Sequence, residues 1–208
     1  MQFYIKLLLQ LALIFFVSTA TAAETLESIL ERAAAQQNVA IDYREVRHLQ
    51  MLNEPWQAEG KMIVTASAFV IDQLAPQRQL LTANKHRYWL YMPEAEIRRT
   101  GMVTSPMAQR SFGLFKPIMN GDRDALEKEF DIHFTATDKR WLLELKPKRT
   151  GRALYARITV QGEDGHPASY MKTEMVDGDF TEWFFQQQPF TSSEESSVKR
   201  LMDEARGN

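Results

Sequence analysis

The sequence predicts a mainly β protein of the α+β class, in which a strongly curved antiparallel sheet is joined by a few helices. After residue 38, short runs of alternating apolar and polar residues recur between Gly, Pro, Asn and Asp turn signals. Asp177-Gly178 is a strong hairpin signal between two such runs. One amphipathic helix precedes the strands, and an apolar, non-alternating stretch interrupts them. Regular short strands joined by tight turns favour a sheet that curls.

Residues 1–22 have the pattern of a secretory signal peptide. Lys6 gives a positive start, Leu7 to Val17 is almost wholly apolar, and Ala20-Thr21-Ala22 is a small-x-small cleavage site. The apolar run is short for a membrane span, which favours cleavage over the alternative of a retained anchor. No cysteine is available there for lipid attachment. The leader therefore predicts a soluble protein exported to the Gram-negative periplasm.

The rest of the chain is predicted to be one domain over residues 23–190, with a polar tail over 191–208. Cleavage leaves 186 residues (208 minus 22), which suits one core. The leader removes one Lys from a chain of net charge −2, and the resulting −3 gives no reason to bind nucleic acid. The tail is expected either to form a brief helix around Val198, Leu201 and Met202 or to be disordered.

The N-terminal half is predicted to be a helix followed by strands. The helix covers Glu24 to Gln37, because its apolar residues recur at helical spacing on one face: Leu26, Ile29, Leu30 and Ala33. The alternating runs then predict strands at Ile41–Val46, Gln57–Thr65, three within Phe69–Pro93, and Glu94–Thr100.

Residues 100–130 are predicted to be a broken helical insert. Ser105 before Pro106 is typical of a helix start, and Gly113 and Pro117 should interrupt the helix. A short helix is expected over Asp122 to Phe130. The insert is either a movable lid or a fixed plug for one end of the sheet. Its predicted lid residues are apolar: Met107, Phe112, Phe115, Ile118 and Met119.

Strands resume from Ile132. The run Arg140–Lys146 alternates cleanly, so Trp141, Leu143 and Leu145 should point inward. The next predicted strand, Leu154–Gln161, should point Ala156, Ile158 and Val160 inward in the same way. The last two strands form the hairpin Ala168–Val176 and Asp179–Gln187.

The sequence offers no catalytic constellation. It has no Cys and no G-x-S-x-G motif, and none of its four His lies in a known catalytic signature. Asp131 and His133 would share a strand face, but no third ligand follows at a fixed spacing. We therefore predict no enzyme, no catalytic residue, no metal site and no cofactor.

The apolar content exceeds what a single sheet requires, and this favours a cavity for a hydrophobic cargo over an ordinary core. Four Trp, twelve Phe and ten Met lie mostly in or near the strands and the insert, and Met suits surfaces that accept irregular apolar chains. Both faces of Tyr88–Tyr91 are apolar, so the choice of its inward pair is arbitrary. The predicted cavity residues are Met62, Val64, Phe69, Trp89, Tyr91, Trp141, Leu143 and Ile158.

The order of the segments resembles the LolA-like family of periplasmic carriers of outer-membrane lipoproteins, over about residues 24–187. The similar stretches are the G-x-M-x-V strand at Gly60–Val64, Tyr88–Pro93, Trp141–Pro147 and the Asp-Gly-Asp hairpin at 177–179. The resemblance implies an incomplete, half-open antiparallel barrel whose mouth is covered by helices. Acyl chains of a lipid would enter between the helices and the barrel.

Two positions depart from the family pattern. Such carriers have a basic residue and a proline after the strand corresponding to Met62–Val64, and that arginine helps to hold the lid. Here the residues are Thr65-Ala66-Ser67, so this latch is either missing or supplied elsewhere. The family's Pro-Pro-Gly segment and extra strand near the C-terminus are replaced by Gln-Gln-Pro-Phe and an acidic tail.

The resemblance implies a monomeric carrier that binds acyl chains of a lipoprotein or another lipid and shuttles them towards the outer membrane. Its partners would be an inner-membrane releasing complex and an outer-membrane acceptor. The alternative is a periplasmic lipid-binding or sensing module that acts through a protein partner and transfers no lipid between membranes.

Overall fold

A computed structural model describes residues 24–36, 38–105, 117–118, 121–148 and 154–208. The strands are β1 Val39–His48, β2 Trp56–Val64, β3 Phe69–Ala75, β4 Gln79–Ala83, β5 Arg87–Met92, β6 Ile97–Met102, β7 Phe130–Ala136, β8 Arg140–Pro147, β9 Tyr155–Glu163, β10 Ala168–Met175 and β11 Phe180–Gln188. The helices are α1 Leu26–Ala35, α2 Arg123–Glu129, α3 Ser192–Arg206 and a 3-10 turn, Pro93–Ala95, and residues 117–118 are also helical.

All eleven strands belong to one antiparallel sheet in the order β6-β5-β4-β3-β2-β1-β11-β10-β9-β8-β7. Each strand pairs with its sequence neighbour except at two places. Strand β1 pairs with β11 and so joins the two halves, and the edge strands β6 and β7 do not pair with each other. The sheet is therefore a barrel that does not close. This confirms the predicted mainly β, half-open antiparallel architecture.

The inner face of the sheet carries the main core. Directly opposed residues of antiparallel strands share a face, and the pairs Ile41–Met62 and Leu143–Val160 both point inward. Helices α1 and α2 cover this face. The buried members of the core are Ile29, Leu30, Tyr43, Met62, Leu126, Trp141, Leu143, Leu145, Ile158, Val160 and Met171.

The outer face carries a second apolar cluster, which helix α3 covers. The helix begins at a Thr191 cap, where Thr191 and Glu194 form a capping box, and it ends at Gly207 with φ +88°. Its apolar stripe packs on strands β2 to β5. The cluster comprises Val198, Leu201 and Ala205 of α3 and Ile63, Ala68, Val70 and Leu80 of the sheet segment. Of the two alternatives predicted for the tail, the structure contains the helix.

Charged groups fix α3 on the sheet. The Arg78 Nε donates to Asp72 Oδ1 at 3.0 Å, and its Nη2 donates to Glu204 Oε2 of α3 at 3.1 Å. The Arg78 guanidinium holds the pKa of Glu204 below its usual value, against the opposing effect of burial. Arg98 of β6 donates to the Ala205 carbonyl at 3.1 Å, which satisfies the C-terminal end of the helix.

Some local details differ from the sequence predictions. Strand β6 begins at Ile97 rather than Glu94, because the 3-10 turn at Pro93–Ala95 precedes it. Ala156 is exposed, since a register shift between Glu174 and Met175 puts Tyr155 opposite Met175. Residues 1–23 lie outside the described residues, and so do residues 106–116 and 119–120 of the predicted insert. Within the described ranges, no helix is long and apolar enough to cross a membrane.

We predict that Leu201→Ala lowers the free energy of unfolding by about 2–5 kcal/mol, because the Leu201 side chain of α3 is buried against the sheet in a packed apolar cluster. Urea titration followed by Trp fluorescence measures this loss. The matched control is Ser196→Ala, an exposed position of the same helix, which should stay within about 0.5 kcal/mol of the parent. Equal stability of the two variants would show that α3 does not contribute to the core.

Candidate functional site

An apolar cavity of about 120 Å³ lies between α1 and the inner face of the sheet. It is formed by one face of α1, the start of β1, the end of β11, and parts of β2, β8, β9 and β10. The lining residues are Ile29, Leu30, Arg32, Ala33, Gln36, Val39, Ile41, Met62, Ile118, Trp141, Leu143, Val160, His166, Pro167, Ala168, Met171, Phe185 and Gln187.

Helix α1 forms the roof of the cavity. Its N-terminus is a capping box, in which the Thr25 hydroxyl accepts from the Ser28 N–H at 3.1 Å and the Ser28 hydroxyl accepts from the Thr25 N–H at 3.1 Å. Ile29 and Leu30 are buried against the sheet. The backbone turn at Gly121 (φ +61°) packs directly on the Leu30 carbonyl, where a side chain would collide. Local capping and an apolar stripe therefore place α1 over the sheet.

Trp141 forms one wall of the cavity and reaches its rim. Gly162 lies opposite Trp141 in the β8–β9 pair, and a Cβ at Gly162 would collide with the indole ring. The missing side chain lets the indole lie across β9. Its Nε1 then donates to the His166 carbonyl in the β9–β10 turn at 3.2 Å. The glycine and the turn together fix the orientation of Trp141, which is 3% exposed.

Polar groups at the rim tie α1 to the β9–β10 turn. Glu24 Oε2 accepts from the Gly165 N–H at 2.8 Å, and its Oε1 pairs with Arg32. Arg32 Nη1 in turn donates to the His166 carbonyl at 3.1 Å. This cluster of Glu24, Arg32, Gly165 and His166 is called the rim latch below. It connects the helix to a turn more than 130 residues later in the chain.

Glu24 is the buried charge of the rim latch, with a side chain only 3% exposed. Burial by itself would raise the pKa of Glu24, but the Gly165 N–H and the Arg32 guanidinium outweigh it and hold the pKa below the usual value. Glu24 is therefore a carboxylate at neutral pH, and its charge is compensated by Arg32.

A second and weaker connection joins α1 to α2. Arg123 pairs with Glu27 of α1 and, at 2.6 Å, with Glu127 of α2. All three side chains are close to half exposed, and exposed ion pairs of this kind contribute about 0–1 kcal/mol. The rim latch is the stronger of the two connections.

Some of the residues predicted from the sequence come together here. Met62, Trp141 and Leu143 line the cavity, and so does Ile118 of the predicted insert. Val64, Phe69 and Ile158 lie on the same inner face, in or against the core that surrounds the cavity, but do not line it. The other predicted lid residues, Met107, Phe112, Phe115 and Met119, lie outside the described residues.

The predicted inward orientation of Trp89 and Tyr91 is wrong. In the β4–β5 register, Trp89 lies opposite Thr82 and Tyr91 opposite Leu80, and both pairs face outward into the cluster beneath α3. Arg206 of α3 lies 4.6 Å from the Trp89 ring centroid, and Arg98 lies 3.6 Å from that of Tyr91. The inward residues of this strand are Tyr88 and Leu90.

The predicted cavity and lid residues include only four of the eighteen residues that line the cavity. Ile29, Leu30, Met171 and Phe185 line it, and Arg32 and His166 mark its rim. The sequence shows the apolar stripe of α1, but it does not show that this stripe packs over the cavity. Nothing local to His166 indicates its role, because its backbone carbonyl makes the contact.

The arrangement is suited to binding apolar groups. Its walls are aliphatic and aromatic, and the polar side chains are confined to the rim. Asp131 and His133 are exposed on edge strand β7. No group of three or more potential metal ligands occurs in the part of the chain that the structure describes.

Fold and site together define a class of protein: an open antiparallel barrel with an apolar cavity beneath a helix. Residues 18–182 match the family described as outer membrane lipoprotein carrier protein LolA-like, which is well over half of the chain. The chain belongs to this LolA-like family. None of the curated proteins matches it.

Three solved structures are similar to this chain at low sequence identity. An uncharacterized conserved protein from Thermus thermophilus has a TM-score of 0.53 at 9% identity, over 85% of this chain and 93% of its own. A LolA superfamily protein from Nitrosomonas europaea has a TM-score of 0.39 at 11% identity, over 82% and 97%. A DUF1329 family protein from Desulfovibrio piger has a TM-score of 0.39 at 14% identity, over 77% and 88%. The first of these similarities supports the fold alone.

We predict that Glu24→Gln lowers the free energy of unfolding by about 1.5–3 kcal/mol at pH 7, because it weakens charge-assisted hydrogen bonds at a buried site. The folded-state pKa of Glu24 lies below its usual value of 4.5. Its ionised form therefore stabilises the fold above that pH, and the contribution is lost as the pH falls through the folded-state pKa.

Urea titrations of parent and variant at pH 7 and near pH 3 measure the effect. The difference between the two proteins should shrink at the lower pH. The control Glu31→Gln, at an exposed position of the same helix, should match the parent at both values. A difference for Glu24→Gln that does not change with pH would contradict the charged latch.

Proposed function

We propose that this protein is a periplasmic carrier that binds the acyl chains of a lipoprotein or another lipid in the cavity beneath α1 and shuttles them towards the outer membrane. The observation that carries the proposal is the apolar cavity between α1 and the inner face of the sheet. Membership of the LolA-like family supports the same assignment. The proposal needs no chemical step.

The physical basis is the cost of exposing an acyl chain to water. Burying each methylene group is worth about 0.8 kcal/mol, so a long chain does not cross an aqueous compartment unaided. The cavity walls offer Met62, Met171 and Phe185, together with aliphatic side chains. Because an acyl chain has no polar group to satisfy, such walls suit it without any buried hydrogen-bond partner.

The size of the cavity indicates that α1 has to move when cargo enters. Ligand pockets typically measure about 300–1,000 Å³, whereas this cavity measures about 120 Å³. A full acyl chain therefore fits only if α1 shifts away from the sheet. The work of shifting it offsets part of the binding energy, so the cargo is held less tightly and can be released.

The rim latch accounts for how α1 is held in the closed position. Family members use an arginine after the second strand, and this chain has Thr65-Ala66-Ser67 there. We propose that Arg32 and Glu24 take over this role from the helix side, through Gly165 and His166. These are polar contacts that water can replace once the helix moves.

The remaining parts of the proposal follow from the family and the leader. The signal-like residues 1–22 would direct the chain to the periplasm and be removed there. The carrier would act as a monomer, receive cargo from an inner-membrane complex and pass it to an acceptor at the outer membrane.

We predict that Ala33→Phe weakens binding of a fluorescent fatty acid at least tenfold. Ala33 lines the cavity from the helix side, so a phenyl ring there occupies the space that the acyl chain needs. Titration of the purified mature protein with the probe measures the affinity.

The matched control is Ala35→Phe, which makes the same substitution two residues further along α1. Two residues correspond to about 200° around the helix, and Ala35 is exposed. This variant should bind like the parent. Parent-like binding by Ala33→Phe, with the variant folded, would contradict the assignment of the cavity as the cargo site.

A further inference from the structure

Edge strand β7 presents two potential metal ligands on the outer face of the sheet. Among the described strands it pairs only with β8. Asp131 and His133 are exposed and alternate with the half-buried residues of the inner face. Within the ranges that the structure describes, neither side chain has a hydrogen-bond or ion-pair partner. Both ligands are therefore available to a group that approaches the edge.

The backbone of β7 also has hydrogen-bonding groups that point away from β8. The Lys148 N–H donates to the Glu129 carbonyl at 3.0 Å, so residue 129 bonds to the β8 side. In an antiparallel pair only every second residue of a strand bonds to a given neighbour, so Asp131 and His133 also bond to β8. The residues between them direct their N–H and C=O groups to the open edge: Phe130, Ile132 and Phe134.

The sequence of this edge is self-complementary. It reads Phe-Asp-Ile-His-Phe, with an acid and a base placed symmetrically about Ile132. When two copies pair antiparallel about a two-fold axis at Ile132, Phe130 lies opposite Phe134 and Asp131 lies opposite His133. Apolar groups then meet apolar groups, and each acid meets a base. In the same register, the open N–H and C=O groups of the two edges meet each other.

This pairing brings four metal ligands together, Asp131 and His133 from each chain. These residues form the pairs that do not hydrogen bond to each other across the new contact, whose Cα atoms are only about 4.5 Å apart. Two imidazoles and two carboxylates form a four-coordinate set that suits Zn²⁺. The neighbouring outward residues of β8, Glu144 and Lys146, carry opposite charges that balance each other. One chain supplies only two of the four ligands, in agreement with the lack of any larger ligand group within the described ranges.

We infer that the β7 edges of two copies pair with each other and that a divalent transition metal such as Zn²⁺ bridges them through Asp131 and His133 of both chains. Stable interfaces typically use about 20–30 residues on each side, whereas this contact uses five, Phe130 to Phe134. The pairing therefore needs the metal, and without it the protein is monomeric.

The metal-bridged dimer is a second, reversible state beside the monomer that acts in the proposed carrier. No residue of β7 lines the cavity beneath α1. The inference therefore goes beyond the proposed function and does not depend on it.

Sedimentation velocity of the mature protein, with and without zinc chloride, tests the inference. The parent should convert from monomer to dimer as zinc is added, with one zinc bound per two chains, and EDTA should restore the monomer. Magnesium chloride should leave the protein monomeric, because Mg²⁺ prefers six oxygen ligands and accepts imidazole poorly.

Variants of the two ligands identify the site. His133→Ala should abolish zinc-dependent dimerisation, and Asp131→Asn should raise the zinc concentration needed for half-dimerisation at least tenfold. Both positions are exposed, and circular dichroism verifies folding. The matched control is His86→Ala, which removes an exposed histidine from the β4–β5 turn and should dimerise like the parent.

A spin label at position 135 tests the register. The chain has no cysteine, so Thr135→Cys carries the label at one exposed position of β7. In the proposed dimer, the two copies of residue 135 lie six residues apart along the paired edges, which corresponds to about 20 Å between their backbones. A pulsed electron paramagnetic resonance distance near this value in zinc supports the pairing, and a much longer distance overturns it.

The remaining outcomes are equally decisive. A parent that stays monomeric in zinc overturns the inference and leaves Asp131 and His133 as charges that keep the edge unpaired. Dimerisation of His133→Ala at the zinc concentration that suffices for the parent overturns the metal site. So does a dimer that persists in EDTA, or one zinc bound per single chain.

Discussion

The structure depends on one constraint: strands β2 to β5 are apolar on both faces. Met62, Ile71 and Leu81 point inward, whereas Val70 and Leu80 point outward. A sheet of this kind needs a cover on each side, because exposed apolar area costs about 25 cal/mol per Å². Helix α3 is the outer cover and α1 is part of the inner one. Since the outer face is sealed by a separate helix, the inner face is left to hold the cavity.

The two covering helices are attached in different ways. Helix α3 buries Leu201 in a filled apolar cluster and is clamped by Arg78, whose guanidinium bridges the sheet and the helix. Helix α1 rests over a cavity and is tied at its rim by Glu24 and Arg32. Packing that leaves no space resists displacement, whereas polar contacts beside an unfilled cavity can be exchanged for water. This asymmetry supports α1, and not α3, as the element that moves in the proposed carrier.

Sequence reasoning succeeded where one face of a strand is polar. In β8 the outward Glu144 alternates with the inward Leu143 and Leu145, so the orientation could be predicted. It failed at Trp89 and Tyr91, because Tyr88–Tyr91 is apolar throughout and the orientation is decided by α3, more than 100 residues later. The rim latch was equally out of reach, since Arg32 contacts a backbone carbonyl 134 residues away. Local pattern determines the elements, and distant packing determines which face meets the cavity.

Quenching of tryptophan fluorescence by a brominated fatty acid tests the central claim, that acyl chains bind beneath α1, most directly. Trp141 lines the cavity and Trp89 lies under α3 on the opposite face, so two variants that each keep one of these residues, with the other three Trp changed to Phe, report on the two faces separately. The account predicts strong, saturable quenching of Trp141 and none of Trp89. Quenching of Trp89 alone, or of both to the same extent, would contradict it.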